Sequence, residues 1–156
     1  MSEIFINRAR ACAVTGHRVM EKTFKITPLK NIFYNLIEKG FDTFLIGMAL
    51  GFDTLCFKVL EKIREEKNIK IIACIPCKSQ SDKFTFKQKA EYDRMLSVAD
   101  AVFYVSVEYD ENCMQRRNMF MVDNSSALIS YKRRDFGGTA NTVNYALKKQ
   151  VPIIEV

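Results

Sequence analysis

The feature that most constrains this chain is a change of hydrophobic period that repeats from one end to the other. Short apolar runs alternate with longer stretches whose apolar residues recur every three or four positions. The first kind reads as buried strand, the second as one face of a helix. Residues 10–15 (RACAVT) form a first strand closed by Gly16. Thr27 offers an N-cap and Pro28 a first helical position for a helix over 29–38 that Gly40 stops. Residues 43–46 (TFLI) are a second strand, 52–66 a second helix and 69–75 (IKIIACI) a third strand closed by Pro76. A helix around 87–98, a strand over 101–105, a helix over 114–124, a strand over 126–131, a helix over 139–149 and a strand over 152–156 complete the series.

Strand and helix alternate without a linker, repeat or low-complexity segment, and the strands are apolar on both faces. That pattern predicts an α/β, Rossmann-like three-layer domain: a mostly parallel sheet with helices on both faces. A length of 156 residues suits one such domain spanning 1–156. Ligands of such sheets bind outside the carboxyl ends of the strands, so those loops hold the functional information.

Five of the six glycines fall in three of these loops. In Thr15-Gly16-His17-Arg18, glycine permits a sharp turn with uncovered N–H groups, and His17 and Arg18 project over the sheet edge. In the 47–53 loop (GMALGFD), Gly47 and Gly51 bracket a strand-to-helix turn. Asp53 there either compensates the helix dipole or meets a ligand hydroxyl. In Phe136-Gly137-Gly138-Thr139, the paired glycines allow a phosphate to approach, and Thr139 could cap the helix and donate to a phosphate oxygen. Neither GxxxxGK[ST] nor GxGxxG is present. Arg116-Arg117 opens the helix over 114–124. Lys132-Arg133-Arg134 reads first as a solvated loop, and Arg117 as the better-placed phosphate partner.

The net charge of +6 fits an anionic partner. No apolar run approaches the ~20 residues that span a bilayer, and Met1–Arg10 lacks the apolar core of a leader peptide. A cytoplasmic protein without membrane insertion is expected. Cys12, Cys56, Cys74, Cys77 and Cys113 have mostly apolar neighbours, so buried thiols are expected over redox or metal work, despite the Cys74-Ile-Pro-Cys77 spacing.

Together Thr15–Arg18, the 47–53 loop, Arg117-Asn118 with Met121–Asp123, and Gly137–Thr139 resemble the SLOG superfamily, with the YpsA-like branch nearest. More distantly the chain resembles the LOG and lysine-decarboxylase-like proteins and the Rossmann core of DprA. The resemblance implies a Rossmann-like fold and a nucleotide or nucleotide-derived ligand, of ADP-ribose, NAD or nucleotide-sugar type, as a sensor or regulatory module. It adds Asn118 to the ligand-binding candidates Gly16, His17, Arg18, Gly47, Gly51, Asp53, Arg117, Gly137, Gly138 and Thr139. LOG hydrolases carry a catalytic glutamate where this chain has Thr142, so N-glycosidic cleavage is the alternative reading. Asp53, Asp123 and His17, then Glu91, are its acid–base candidates. A third reading is nucleic-acid binding, with Phe84, Phe86 and Phe136 as the aromatics outside the core. No cofactor or metal is assigned beyond the nucleotide ligand, and self-association is left open.

Overall fold

The computed structural model describes residues 5–156; residues 1–4, part of the segment read for a leader, lie outside it. Six parallel strands form one sheet in the order β4-β3-β2-β1-β5-β6: β1 Ala11–Gly16, β2 Thr43–Ile46, β3 Lys70–Ile75, β4 Ala101–Tyr104, β5 Ala127–Tyr131 and β6 Ile153–Glu155. The helices are α1 Ile26–Glu38, α2 Phe52–Arg64, α3 Phe86–Val98, α4 Cys113–Asp123 and α5 Gly138–Lys148. The chain steps outward from β1 to β4 through α1, α2 and α3. It then crosses back to β5 on the other side of β1 through α4. Right-handed crossovers in opposite directions place the two helix sets on opposite faces.

The core divides the same way. Cys12, Val14, Phe44, Ile46, Ile71 and Ala73 face one layer, with Leu29, Phe33, Phe57 and Leu60 of α1 and α2 packed on them. The alternate residues Ala13, Leu45, Ile72 and Leu128 face Met121, Val122, Val143 and Ala146 of α4 and α5. Period-two alternation thus serves two apolar layers, which is why the central strands read as continuous hydrophobic runs. The edge strands β4 and β6 are only half-buried or exposed, so apolarity on both faces belongs to the interior strands.

The helix starts correct three expectations. Helix α1 begins at Ile26 behind Lys25, with no side-chain cap, so Thr27 and Pro28 lie inside its first turn. Proline is tolerated there because first-turn N–H groups lack intrahelical partners. Helix α5 begins at Gly138 behind Gly137, so Thr139 is a buried first-turn residue rather than the cap. Helix α3 has the true capping box: Gln88 N donates to Thr85 Oγ1 at 3.2 Å and Thr85 N donates to Gln88 Oε1 at 2.9 Å. The Thr-x-x-Gln spacing signals it in the sequence.

All five cysteines are free and buried. Burial raises the Cys12 and Cys56 thiols and pushes Cys74 up to about 12, so these three are poor thiolates. Among the described residues no helix is long and apolar enough to cross a membrane.

Candidate functional site

The sheet order reverses at β1, between β2 and β5, and this switch point opens a crevice at the carboxyl edge. Gly16 and Tyr131, the last residues of β1 and β5, are register partners there. A cavity of about 720 Å³ lies over them. Its walls come from Thr15–Val19 and Glu21 after β1, Ala49 and Leu50 after β2, Tyr131, Arg133 and Arg134 at the end of β5, and Gly138-Thr139 at the start of α5. Gln80, Met114, Arg117 and Asn118 close the remaining side.

The loop after β1 reaches this position because two glycines let it lie against α2. A Cβ at Gly16 would sit 2.5 Å from the Phe52 side chain. Gly51 has φ +81° and ψ −119°, a combination that L side chains rarely adopt. A Cβ on it would strike the Arg18 carbonyl and come within 2.5 Å of the His17 carbonyl oxygen. Phe52 N donates to that His17 oxygen at 3.1 Å. The Tyr131 ring is buried and stacks on Phe52 at 5.4 Å between centroids. Its hydroxyl accepts from Glu21 N at 3.1 Å, pinning the far end of the same loop.

The cationic groups sort into two kinds. Arg117 is buried, and its Nη1 donates to the Gly47 carbonyl and, at 3.3 Å, to the Cys74 carbonyl. Its Nε donates to Asn118 Oδ1 at 2.7 Å. Gln80 Nε2 donates to the same Gly47 carbonyl at 3.0 Å. Arg117 therefore braces the ends of β2 and β3 from the cavity wall, its guanidinium committed to backbone carbonyls and not to the phosphate its place in the sequence suggests. Burial lowers its pKa, with the charge of Asp53 acting the other way.

Arg18, Arg133 and Arg134 are exposed around the mouth. Arg133 lies over the Tyr131 ring at 4.2 Å and pairs with Glu21 at 2.8 Å. Arg134 lies over Phe136 at 4.9 Å. The cluster read as a solvated loop thus lines the cavity through Arg133 and Arg134. His17 Nε2 accepts from Arg133 N at 2.8 Å, which leaves the proton of the neutral ring on Nδ1. Partial burial and the charges of Arg134 and Arg133 lower its pKa.

Several candidates are placed elsewhere. Asp53 is buried beneath the 47–51 loop, where Oδ2 accepts from Ala49 N at 3.1 Å. Its Oδ1 has no partner among the described residues. Burial raises its pKa to about 6, against the opposing charge of Arg117 and the Ala49 hydrogen bond. Asp53 therefore ties the loop shut from below rather than facing the cavity. Gly47 and Gly51 are likewise structural; a Cβ at Gly47 would sit 2.8 Å from Arg117 Nη1. Gly137 precedes α5 without lining the cavity.

Asp123 ends α4 at the opposite sheet edge and accepts from Tyr145 Oη at 2.7 Å. Glu91 lies on α3, held by Arg94 at 2.7 Å. Phe84 is half-buried edge-on to Tyr92 at 5.5 Å, whereas Phe86 and Phe136 are exposed. Thr142 is buried, and its hydroxyl donates to the Gly138 carbonyl at 2.8 Å. Tyr131 and Glu21 were missed because neither carries a local motif; only the β1–β5 pairing brings them together. Arg133 and Arg134 were legible as charge but not as lining.

A doubly wound parallel sheet with a cationic crevice at its switch point defines a Rossmann-like α/β protein. The family model described as the YspA SLOG family matches residues 12–152, and the chain belongs to that family. A relative, the uncharacterized SPbeta prophage-derived protein YoqJ of Bacillus subtilis (strain 168), is 34% identical over 120 residues, 67% of this chain and 69% of YoqJ. Among solved structures, DNA processing protein A (DprA) of Streptococcus pneumoniae superposes with a TM-score of 0.67 at 16% identity over 92% of this chain. DNA processing protein A of Helicobacter pylori, described for its single-stranded DNA binding mode, gives a TM-score of 0.66 at 16% identity over 93% of this chain. The chain spans 49% and 64% of those two proteins, and the likeness establishes the shared fold.

Proposed function

We propose that the crevice holds a phosphate-bearing nucleotide or nucleotide derivative and that the protein acts as a binding or sensing module. The observation that carries this reading is the convergence of Arg18, Arg133 and Arg134 on the open N-terminus of α5. Backbone N–H groups at a helix start, with exposed guanidinium groups around them, are the elements that bind phosphate oxygens. The α2 N-terminus offers less, because Phe52 N is taken by the His17 carbonyl and, in the loop before it, Ala49 N by Asp53. The anionic end of a ligand belongs at Gly138-Thr139. The family and the fold are those in which such ligands are expected, which supports the reading.

Hydrolysis is less well supported. Glu21 is the one carboxylate on the cavity wall among the described residues, and it is paired with Arg133. Glycoside cleavage ordinarily uses two carboxyl groups across the scissile bond.

A second reading, single-stranded nucleic-acid binding, is favoured by the exposed Phe136 beside Arg134 at the crevice mouth. Cationic side chains interleaved with an exposed aromatic suit stacked bases, and the Helicobacter pylori protein of the same fold is described as binding single-stranded DNA.

Thermal shift with AMP, ADP, ATP, NAD, ADP-ribose and UDP-sugars tests the first reading. Ligand at ~100 times its Kd adds about 2.7 kcal/mol to stability. If no member of the panel raises the midpoint, and ADP does not compete with an oligonucleotide in a gel shift, the nucleotide reading fails. A salt-resistant oligonucleotide complex would then favour the second reading.

A further inference from the structure

Two cysteines far apart in the chain meet where the end of β3 passes the start of α4. Cys113 Sγ donates to Cys77 Sγ at 3.9 Å across a separation of 36 residues, and both thiols are buried. The Cys74-Ile-Pro-Cys77 spacing offers a different partner for Cys77. Cys74, however, is a strand residue in the layer beneath α4 and α5, and burial pushes its thiol up to about 12. Among the described residues no group of three or more His, Cys, Asp and Glu could hold a metal ion. The contact between Cys77 and Cys113 is therefore a two-thiol pair.

Its surroundings suit thiol chemistry. Cys113 is the first residue of α4, where backbone N–H groups and the helix dipole favour an anion. One turn on, the Arg117 guanidinium would attract an ionised Cys113. Cys77 opens the turn over 78–83. The backbone of that turn is bonded mainly to itself: Gln80 N donates to the Cys77 carbonyl at 3.2 Å, Asp82 N to Ser79 at 3.0 Å and Phe84 N to Ser81 at 3.0 Å. Lys78, Asp82 and Lys83 are exposed. A segment with short-range bonds and exposed side chains opens locally at small cost, and its opening uncovers Cys77 to a small oxidant. Gln80 anchors the turn, donating to the Gly47 carbonyl and accepting from Tyr92 Oη at 2.9 Å.

We propose that Cys77 and Cys113 are a peroxide-sensitive dithiol whose disulfide fastens the Gln80 turn to α4 along one wall of the crevice. The Cys77 thiolate attacks hydrogen peroxide; the O–O bond breaks, leaving a sulfenic acid on Cys77 and releasing water once the hydroxide is protonated. Cys113 then attacks that sulfur, the S–O bond breaks, and a second water leaves. Two thiols and one peroxide give one disulfide and two waters, and a small-molecule thiol reverses the step. The sulfurs must close by ~1.9 Å to bond, which side-chain rotation and a small shift of the turn supply. Gln80 and Arg117 hold the same Gly47 carbonyl from the two joined segments, so the bond braces both donors. It does so whatever the crevice holds.

The test treats the full chain with hydrogen peroxide, blocks remaining thiols under denaturing conditions and maps non-reduced peptides by mass spectrometry. Wild type and Cys74→Ser should both yield a peptide pair joined through Cys77 and Cys113, lost on treatment with dithiothreitol. Oxidation should raise the melting midpoint of both by about 4–16 °C. Cys77→Ser and Cys113→Ser should form no such link and show no rise, which also controls for methionine oxidation. The map of the wild type stands even if a variant fails to fold. Five thiols still free after peroxide, a bond between Cys74 and Cys77, or sulfinic acid on Cys77 without a link would overturn the dithiol. A Cys77–Cys113 link that leaves the midpoint unchanged would overturn the bracing.

Discussion

The turn at Gly51 allows a perturbation whose size can be worked out in advance. Gly51→Ala places a methyl group at a backbone conformation of φ +81°. Holding a side chain in such a region costs ~1–3 kcal/mol. The methyl also meets the His17 oxygen at 2.5 Å and the Arg18 carbonyl. Those are backbone atoms, anchored by the Phe52 N bond to His17 and the Glu21 N bond to Tyr131, so they cannot step aside as a flexible side chain would. Overpacking of that kind adds ~1–3 kcal/mol.

The molecule supplies its own controls. Gly40 has φ +103° with nothing within 4 Å of its Cβ position, so Gly40→Ala measures the conformational cost alone. Gly138 has neither the conformation nor the crowding, and Gly138→Ala should be neutral or slightly stabilising, by less than ~1 kcal/mol. Each kcal/mol moves the melting midpoint of a domain this size by ~2–4 °C. At the middle of these ranges, about 2 and about 4 kcal/mol, Gly40→Ala should therefore lower it by about 4–8 °C and Gly51→Ala by about 8–16 °C. Calorimetric melts and urea titrations of the three variants measure this. A Gly51→Ala midpoint no lower than that of Gly40→Ala would refute the claim that the loop after β1 is wedged against this turn.

Other predictions concern charge. In the ligand-free protein His17 should titrate below its usual 6.5, since partial burial and the neighbouring arginines disfavour the imidazolium. A depressed histidine is neutral in the fold, so acidification below about 6.5 costs stability and breaks the Arg133 N bond; an NMR midpoint above 6.5 would contradict this. Asp53 has the opposite sense. With its pKa raised from 3.8 to about 6, the folded state holds the proton more tightly than the unfolded chain, so its contribution declines as pH rises from about 4 to about 6, by up to ~3 kcal/mol. Asp53→Asn should remove that segment of the stability–pH curve, and urea midpoints unchanged in shape would count against it. Arg134→Ala should weaken ADP binding about tenfold through loss of a charge-assisted contact, while shifting stability by less than ~0.5 kcal/mol because the residue is exposed. Equal binding by this variant and the wild type would remove Arg134 from the site.

Much of the fold is legible in the order of residues, because strand and helix periods are local properties. The 43–46 strand has the bounds its pattern suggests, and α1 ends at Glu38 before Gly40 as its pattern suggests. The alternation of the two periods implies a parallel sheet, since parallel neighbours need a crossover. Three glycine loops at one edge follow from the same local signals. What the order could not supply is which loops meet. Asp53 and Gly51 read alike as candidate ligand contacts, yet one lies under the loop and the other receives the β1 turn. Arg117 reads as the better-placed phosphate partner, yet the ends of β2 and β3 converge on it. Arg133 and Arg134 read as solvated charges until the placement of β5 beside β1 brings them over His17 and the Tyr131 ring. Periodicity acts over a few residues, whereas burial and pairing are set by strand order across the whole sheet. The elements were therefore determined locally, and the division of the same glycines, acids and arginines into scaffold and cavity wall was decided only when β5 crossed back past β1.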